Sequence, residues 1–165
     1  MNTRIVDEGV VTEYLLRLGY ENFLKPEQNR WEVTLCNSDY EPEEFTVEIY
    51  LRGPLIGFVS SFFENLEGDR LAEFYELIHR LNYHLDLFKF GISEDGQSIT
   101  LQVEWGRAYM DYKLFKEILD YFPNIYAKWW LPLVETAHKM GLTKREEQVS
   151  WLDNIVHKFL ASGRR

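Results

Sequence analysis

Hydrophobic and polar positions alternate along this chain in two distinct periods. Val6, Val10, Val11, Tyr14, Leu15 and Leu18 recur at helical spacing, which predicts a first helix over roughly Asp7 to Leu18, with Gly19 placed to stop it. Trp31, Val33 and Leu35 alternate with Glu32, Thr34 and Cys36, the pattern of a strand with one face inward. Asn37 to Glu44 is polar and acidic, contains Pro42, and reads as a loop. Phe45, Val47, Ile49 and Leu51 then alternate with Glu44, Thr46, Glu48 and Tyr50 in the cleanest strand of the chain, which Arg52-Gly53-Pro54 breaks. Leu55 to Phe63 follows as a third strand. Gly57 and the pair Phe62-Phe63 blur its alternation, as burial on both faces or an edge position with exposed aromatics would.

After a turn at Glu64 to Asp69, with Asp69 the expected N-cap, Leu71, Phe74, Tyr75, Ile78 and Leu81 line one face of a second helix. Phe88, Phe90 and Ile92 form the next strand face. Glu94-Asp95-Gly96-Gln97 supplies a tight hairpin turn, and Ile99, Leu101, Val103 and Trp105 alternate through a fifth strand that Gly106 closes. From Asp111 the helical period returns in Leu114, Phe115, Ile118, Leu119 and Phe122. Pro123 is expected to interrupt it. A further stretch carries Tyr126, Trp129, Trp130, Leu133, Val134 and Ala137, with a kink expected at Pro132 and an end at Gly141. Thr143-Lys144-Arg145-Glu146 fits a capping box, and Trp151, Leu152, Ile155, Val156, Phe159 and Leu160 mark a final helix. The order is α-β-β-β-α-β-β-α plus an extra C-terminal helix. Strands in hairpin-joined runs imply an α+β fold, with an antiparallel sheet of about five strands and helices packed on it. The 165 residues fit one domain, residues 1–165, with 143–165 as a C-terminal helical extension.

The segment Leu71 to Asn82, ending in the pair Leu81-Asn82, the strand Phe88 to Ile92, the strand Ile99 to Val103 and the helical run Phe115 to Leu119 together resemble the YbjN family. The likeness spans about Leu71 to Leu131. The fold it implies resembles the type III secretion chaperones, small cytoplasmic proteins that hold bacterial effectors. The function it implies is a bacterial sensory-transduction regulator or a chaperone-like protein binder. It implies no catalytic residue, since the family offers none to carry over.

Composition narrows the classes. The net charge of −9 disfavours nucleic acid and anionic membrane surfaces, and the clustered basic residues, Lys144-Arg145 and Arg164-Arg165, are too few for a footprint. No stretch approaches the ~20 apolar residues of a membrane span, and Met1 to Asp7 resembles no signal peptide. The single cysteine, Cys36, cannot form an internal disulfide and reads as a small buried hydrophobe. A cytoplasmic protein is the expectation.

Catalytic and metal chemistry find little support. His79 and His84 stand five apart and do not share a helix face as i, i+4 zinc ligands do; His138 and His157 lie elsewhere. Asp39, Glu41, Glu43 and Glu44 lack the glycine a calcium loop needs at its sixth position, so they read as a solvated acidic loop. Glu104 and Asp111 are ordinary as a strand-face carboxylate and a helix cap. The reading is non-enzymatic, with no cofactor and no metal. Aromatics, at 16% of the chain, carry the remaining interest. Tyr50, Phe58, Phe62 and Phe63 are one candidate patch for a protein or peptide partner. Trp105, Arg107 and Tyr109 are a second, and the adjacent Trp129 and Trp130, about 100° apart on a helix, are a third. A homodimer is one way to cover such a surface. The alternative is a small-molecule-binding regulator whose pocket is lined by Trp105, Tyr109 and Trp129.

Overall fold

The computed structural model describes residues 5–36, 42, 44–93 and 96–142. The capping box at 143–146, the final helix, and Asp39, Glu41 and Glu43 of the acidic loop lie outside the described residues.

Helix α1 (Glu8–Arg17) begins where Asp7 Oδ1 accepts the Val10 N–H at 2.9 Å, satisfying an amide that has no helical partner, and Gly19 at φ +87° ends its overhang. Strands β1 (Arg30–Cys36), β2 (Glu44–Arg52) and β3 (Leu55–Phe63) form an antiparallel meander. Helix α2 (Leu71–Leu81) and a short 3-10 turn (Asn82–His84) lead to the hairpin β4 (Lys89–Ile92) and β5 (Ile99–Gly106). Helix α3 (Tyr112–Lys139) closes the described chain. The sheet order is β1-β2-β3-β5-β4, every pair antiparallel. The α+β class, five strands and element order follow the hydrophobic pattern.

One sheet face is apolar and meets the helices. Trp31, Val33 and Leu35 of β1, Val47 and Ile49 of β2, Ile56 and Phe58 of β3, and Leu101 and Val103 of β5 are buried there with Val10, Val11 and Leu15 of α1 and Phe115, Ile118 and Phe122 of α3, in one cluster. Strand periodicity places every second residue inward, and the opposite parity corrects one expectation. Cys36 is exposed, because Trp31, Val33 and Leu35 take the core side and leave Arg30, Glu32, Thr34 and Cys36 on the other.

Four further expectations change. Strand β3 is central, and its blurred pattern has a local cause. A bulge between Ser61 and Phe63 opposite Thr100 and Ile99 inserts one extra residue, so Phe62 and Phe63 both reach Trp130 of α3, at ring separations of 5.3 and 5.1 Å. Asp69 does not cap α2; the position preceding the helix is Arg70, which makes no side-chain cap bond. Ile92 is exposed, as it stands at the last position of the short edge strand. Pro123 does not end its helix. Helix α3 runs 28 residues through both Pro123 and Pro132. Each proline removes one amide donor, but Leu119, Phe122, Ile125, Tyr126 and Leu133 are buried on either side, and tertiary burial holds the segment helical.

The β4 edge is closed by a side chain. Asn82 Nδ2 donates to the Phe90 carbonyl at 2.9 Å and Asn82 Oδ1 accepts the Phe90 N–H at 2.7 Å. Its carboxamide acts as one residue of a missing sixth strand, at an edge that would otherwise offer unpaired backbone. The Tyr75 hydroxyl of α2 donates to the Gly96 carbonyl, which fixes the same helix to the hairpin turn.

Candidate functional site

The structure separates the three aromatic groups. In the first, Phe58, Phe62 and Phe63 are buried in the core, Phe58 edge-on to Phe115 at 5.3 Å. Tyr50 is not their neighbour. In the β2–β3 register Tyr50 stands opposite Gly57, so it lies on the outer sheet face while Phe58 lies on the inner one. These four residues therefore do not form one surface patch. Tyr50 instead covers Gly57, where a Cβ would stand 2.1 Å from the Tyr50 Cζ. Its hydroxyl donates to Glu104 Oε1 at 2.7 Å, and Arg52 Nη2 donates to the same oxygen at 2.6 Å. Burial of the phenol, then its bond to the Glu104 carboxylate, push the Tyr50 pKa up to about 12.

The second group stays together at the β5–α3 turn. Arg107 ties three segments there. Its Nε donates to the Val6 carbonyl at 2.5 Å, its Nη1 to the Gly53 carbonyl at 3.0 Å, and its own amide to the Pro54 carbonyl at 2.9 Å. The turn so held presents Tyr109, 78% exposed, its ring over Gly106, where a Cβ would stand 3.0 Å from the Tyr109 Cδ2, while Trp105 is half-buried against the core. The Arg17 guanidinium lies 3.8 Å from the centre of the nearby Tyr112 ring.

The third group divides. Trp130 turns inward: it stacks on Phe63, meets Phe62 edge-on and lies 6.0 Å from Tyr126. Behind it the Tyr126 hydroxyl donates to the Ser61 carbonyl at 2.6 Å and contacts Ser60 Oγ at 2.8 Å, while Ser60 Oγ donates to the Thr46 carbonyl at 2.6 Å. Two hydroxyl protons serve three contacts, so the pair shares its donors. Burial drives the Tyr126 phenol far above its ordinary range. Trp129 turns the other way. It lines a groove of about 370 Å³ between α3 and the segment 84–88, with Leu85, Leu87, Phe88, Tyr121 and Ile125. Its Nε1–H is buried and has no acceptor among the described residues.

Trp129 and the Trp105–Tyr109 turn do not line one pocket. The turn precedes the start of α3, and Trp129 lies 17 residues along that helix from Tyr112, about 26 Å away at 1.5 Å per residue. Among the described residues no cluster of three or more His, Cys, Asp or Glu side chains could hold a metal ion, and no helix is long and apolar enough to cross a membrane.

Pattern reading misses the groove and the role of Arg107. The groove joins residues about 40 positions apart, and its one local signal is Tyr121, an aromatic off the apolar stripe of α3 and 55% exposed. The role of Arg107 depends on a contact with Val6, 101 positions away.

Comparison with solved structures finds this architecture again. Over 87% of this chain and 100% of the other, the fold matches the crystal structure of YbjN from E. coli, a candidate transcription regulator, with a TM-score of 0.60 and 14% identity. The fold is thus YbjN-like, as the Leu71–Leu119 pattern implied. Lower similarity is found to a chain of the ExsC–ExsE complex, with a TM-score of 0.47 and 17% identity over 73% of this chain and 88% of that one. The Yersinia pestis type III secretion chaperone SycH, in complex with a stable fragment of YscM2, gives a TM-score of 0.45 and 12% identity, covering 80% and 97%. No family model matches the sequence, and no curated protein matches it.

Proposed function

We propose that this chain is a non-enzymatic protein-interaction domain, in the manner of a regulator or a chaperone, that binds a protein or peptide through the aromatic turn at Trp105, Arg107 and Tyr109. The observation that carries this reading is Tyr109: a large aromatic, 78% exposed, on a turn pinned by the bonds of Arg107 to Val6 and Gly53. A held aromatic anchor loses little conformational freedom on binding, and Tyr, Trp and Arg dominate interface hot spots. The shifted ionisations of Tyr50 and Tyr126 fit a non-enzymatic reading, since both follow from packing and from hydrogen bonds that join strands and helix. An exposed free thiol at Cys36 suits a reducing compartment such as the cytoplasm. Pairing of two copies through the same aromatic turn is the self-association form of this reading.

The test is affinity capture from the native host with the intact chain and with a Tyr109→Ser variant, whose side chain is exposed. The expected result is a protein partner, or a second copy, retained by the first and lost by the second at an unchanged melting temperature. Recovery of no partner together with a monomeric mass in solution would overturn the reading.

A further inference from the structure

We infer that the groove between α3 and residues 84–88 binds a small uncharged aromatic molecule that carries a carbonyl acceptor. The site lies apart from the turn at Tyr109 and stands or falls independently of the role given to that turn. Three properties of the groove define this ligand: its shape, its charge and one buried donor.

Shape sets the size. The groove holds about 370 Å³, at the low end of the roughly 300–1,000 Å³ of small-molecule sites, which suits a ligand of one ring or two fused rings. Leu85, Leu87 and Phe88 supply one side, and Tyr121, Ile125 and Trp129 of α3 supply the other. Phe88 is buried, and its ring centre stands 6.3 Å from that of Tyr121 at a tilt of 38°. Phe88 is held in turn by Phe122, edge-on at 4.9 Å. A flat aromatic ligand therefore meets rings already fixed by packing, with stacked and edge-on contacts both on offer.

Charge selects against ions. The groove's charged side chains are Lys128 and Asp86, one of each sign, so its rim favours no net charge. An anion would also meet the field of a chain that carries −9. A cation would find Asp86 offset by Lys128. Bringing either ion against the apolar walls costs hydration that this pair of rim charges does not return.

The buried donor fixes the functional group. Trp129 Nε1–H is buried and has no acceptor among the described residues. An indole nitrogen only donates, so whatever pairs with it must bring a lone pair. Buried donors in folded proteins are paired, because an unpaired one costs more than a neutral hydrogen bond gains. A carbonyl oxygen pairs this one without carrying a charge into the groove. Lys128, exposed and reaching over the indole with its Nζ 5.1 Å from the ring centre, is the flexible side chain that yields as the ligand enters.

Titration of the full chain with acetophenone and with ethylbenzene, followed by NMR, tests this. The two probes share a ring and a two-carbon arm and differ in the carbonyl. Methyl signals of Leu85, Leu87 and Ile125 should report both probes, while the Trp129 indole N–H signal should move downfield with acetophenone and not with ethylbenzene. In Trp129→Phe the ratio of the two affinities should fall about fivefold, the worth of one net hydrogen bond, with ethylbenzene binding kept. Asn124→Trp, at an exposed position of α3 that lines the groove, fills the space and should weaken both probes at least tenfold at an unchanged melting temperature. Absence of binding by acetophenone, an indole signal that it leaves in place, or an affinity ratio unchanged in Trp129→Phe would overturn the inference. Should Trp129→Phe fail to fold, the native chain and Asn124→Trp decide it: acetophenone binding that survives Asn124→Trp would place the probe elsewhere and overturn it too.

Discussion

The side chain of Asn82 and the backbone of Phe90 exchange two hydrogen bonds, of 2.9 and 2.7 Å, so a carboxamide does the work of a strand neighbour. Asn82→Asp keeps the size and the acceptor but removes the donor, and sets a carboxylate against the Phe90 carbonyl. The expected cost is about 1–3 kcal/mol, read from chemical denaturation. Asn82→Ala opens the β4 edge, and light scattering should show more concentration-dependent association than for the parent chain.

The close approach of Tyr50 to Gly57 makes a second prediction. Gly57→Ala places a methyl group inside the Tyr50 ring, so the ring must leave or the strands must part. Destabilisation of about 1–3 kcal/mol is expected, in the range of overpacked positions. Adding Tyr50→Ser should recover much of it, since the offending ring is then gone; non-additivity in a double-mutant cycle measures the coupling.

Tyr50 also gives a pH dependence. Its folded pKa, about 12, stands above the ordinary phenol value of 10.0. A raised pKa means the neutral phenol is the form the fold favours. Its contribution is therefore complete below pH 10 and is lost as pH rises from 10 towards 12. Denaturation midpoints measured across that window should fall less steeply for Tyr50→Phe than for the parent. Equal slopes would show that Tyr50 does not titrate in this way.

Tyr126→Phe removes a hydroxyl shared between Ser60 and the Ser61 carbonyl without changing the ring stack on Phe45, 4.1 Å between centroids. The Ser61 carbonyl loses its side-chain donor. A loss of about 1–3 kcal/mol is expected, with near-ultraviolet circular dichroism largely kept because the aromatic packing stays.

Arg107→Lys tests whether the β5–α3 turn needs a fork rather than a charge. A single ammonium cannot reach both the Val6 and Gly53 carbonyls in the planar geometry of a guanidinium. About 1–2 kcal/mol of stability should be lost, one to two net hydrogen bonds. Faster hydrogen exchange at Val6, whose amide is bonded to the Arg107 carbonyl, should accompany it.

Sequence pattern conveys the elements here better than their partners. Strand β2 is legible because Phe45, Val47 and Ile49 alternate with polar residues through to the turn, and α1 because Asp7 and Gly19 punctuate it at both ends. The continuity of α3 is not legible, since Pro123 and Pro132 are local breakers overridden by burial that only the folded chain supplies. Cys36 misleads through its type, apolar by habit, when its parity on β1 already puts it outside. The separation of Tyr50 from Phe58 was within reach: the turn pairs Arg52 with Leu55, and counting back from it sets Tyr50 opposite Gly57. Asn82 is visible as part of the Leu-Asn pair, but its role needs the edge strand beside it. The groove at Trp129 needs α3 and the segment 84–88 side by side, and the exposed Tyr121 is its one local hint.

The seam between β3 and β5 has a consequence for how the chain assembles. Strands β1 to β3 form from neighbours, but β3 meets β5 only after α2 and β4 have been laid between them, a loop of 35 residues from Phe63 to Ile99. Closing a loop of that size costs roughly 3 kcal/mol of chain entropy before any contact repays it. The meander and the β4–β5 hairpin should gain order independently and early, with their union as the committing event, so a slip of the bulge at Phe62 would be felt first in the rate of folding.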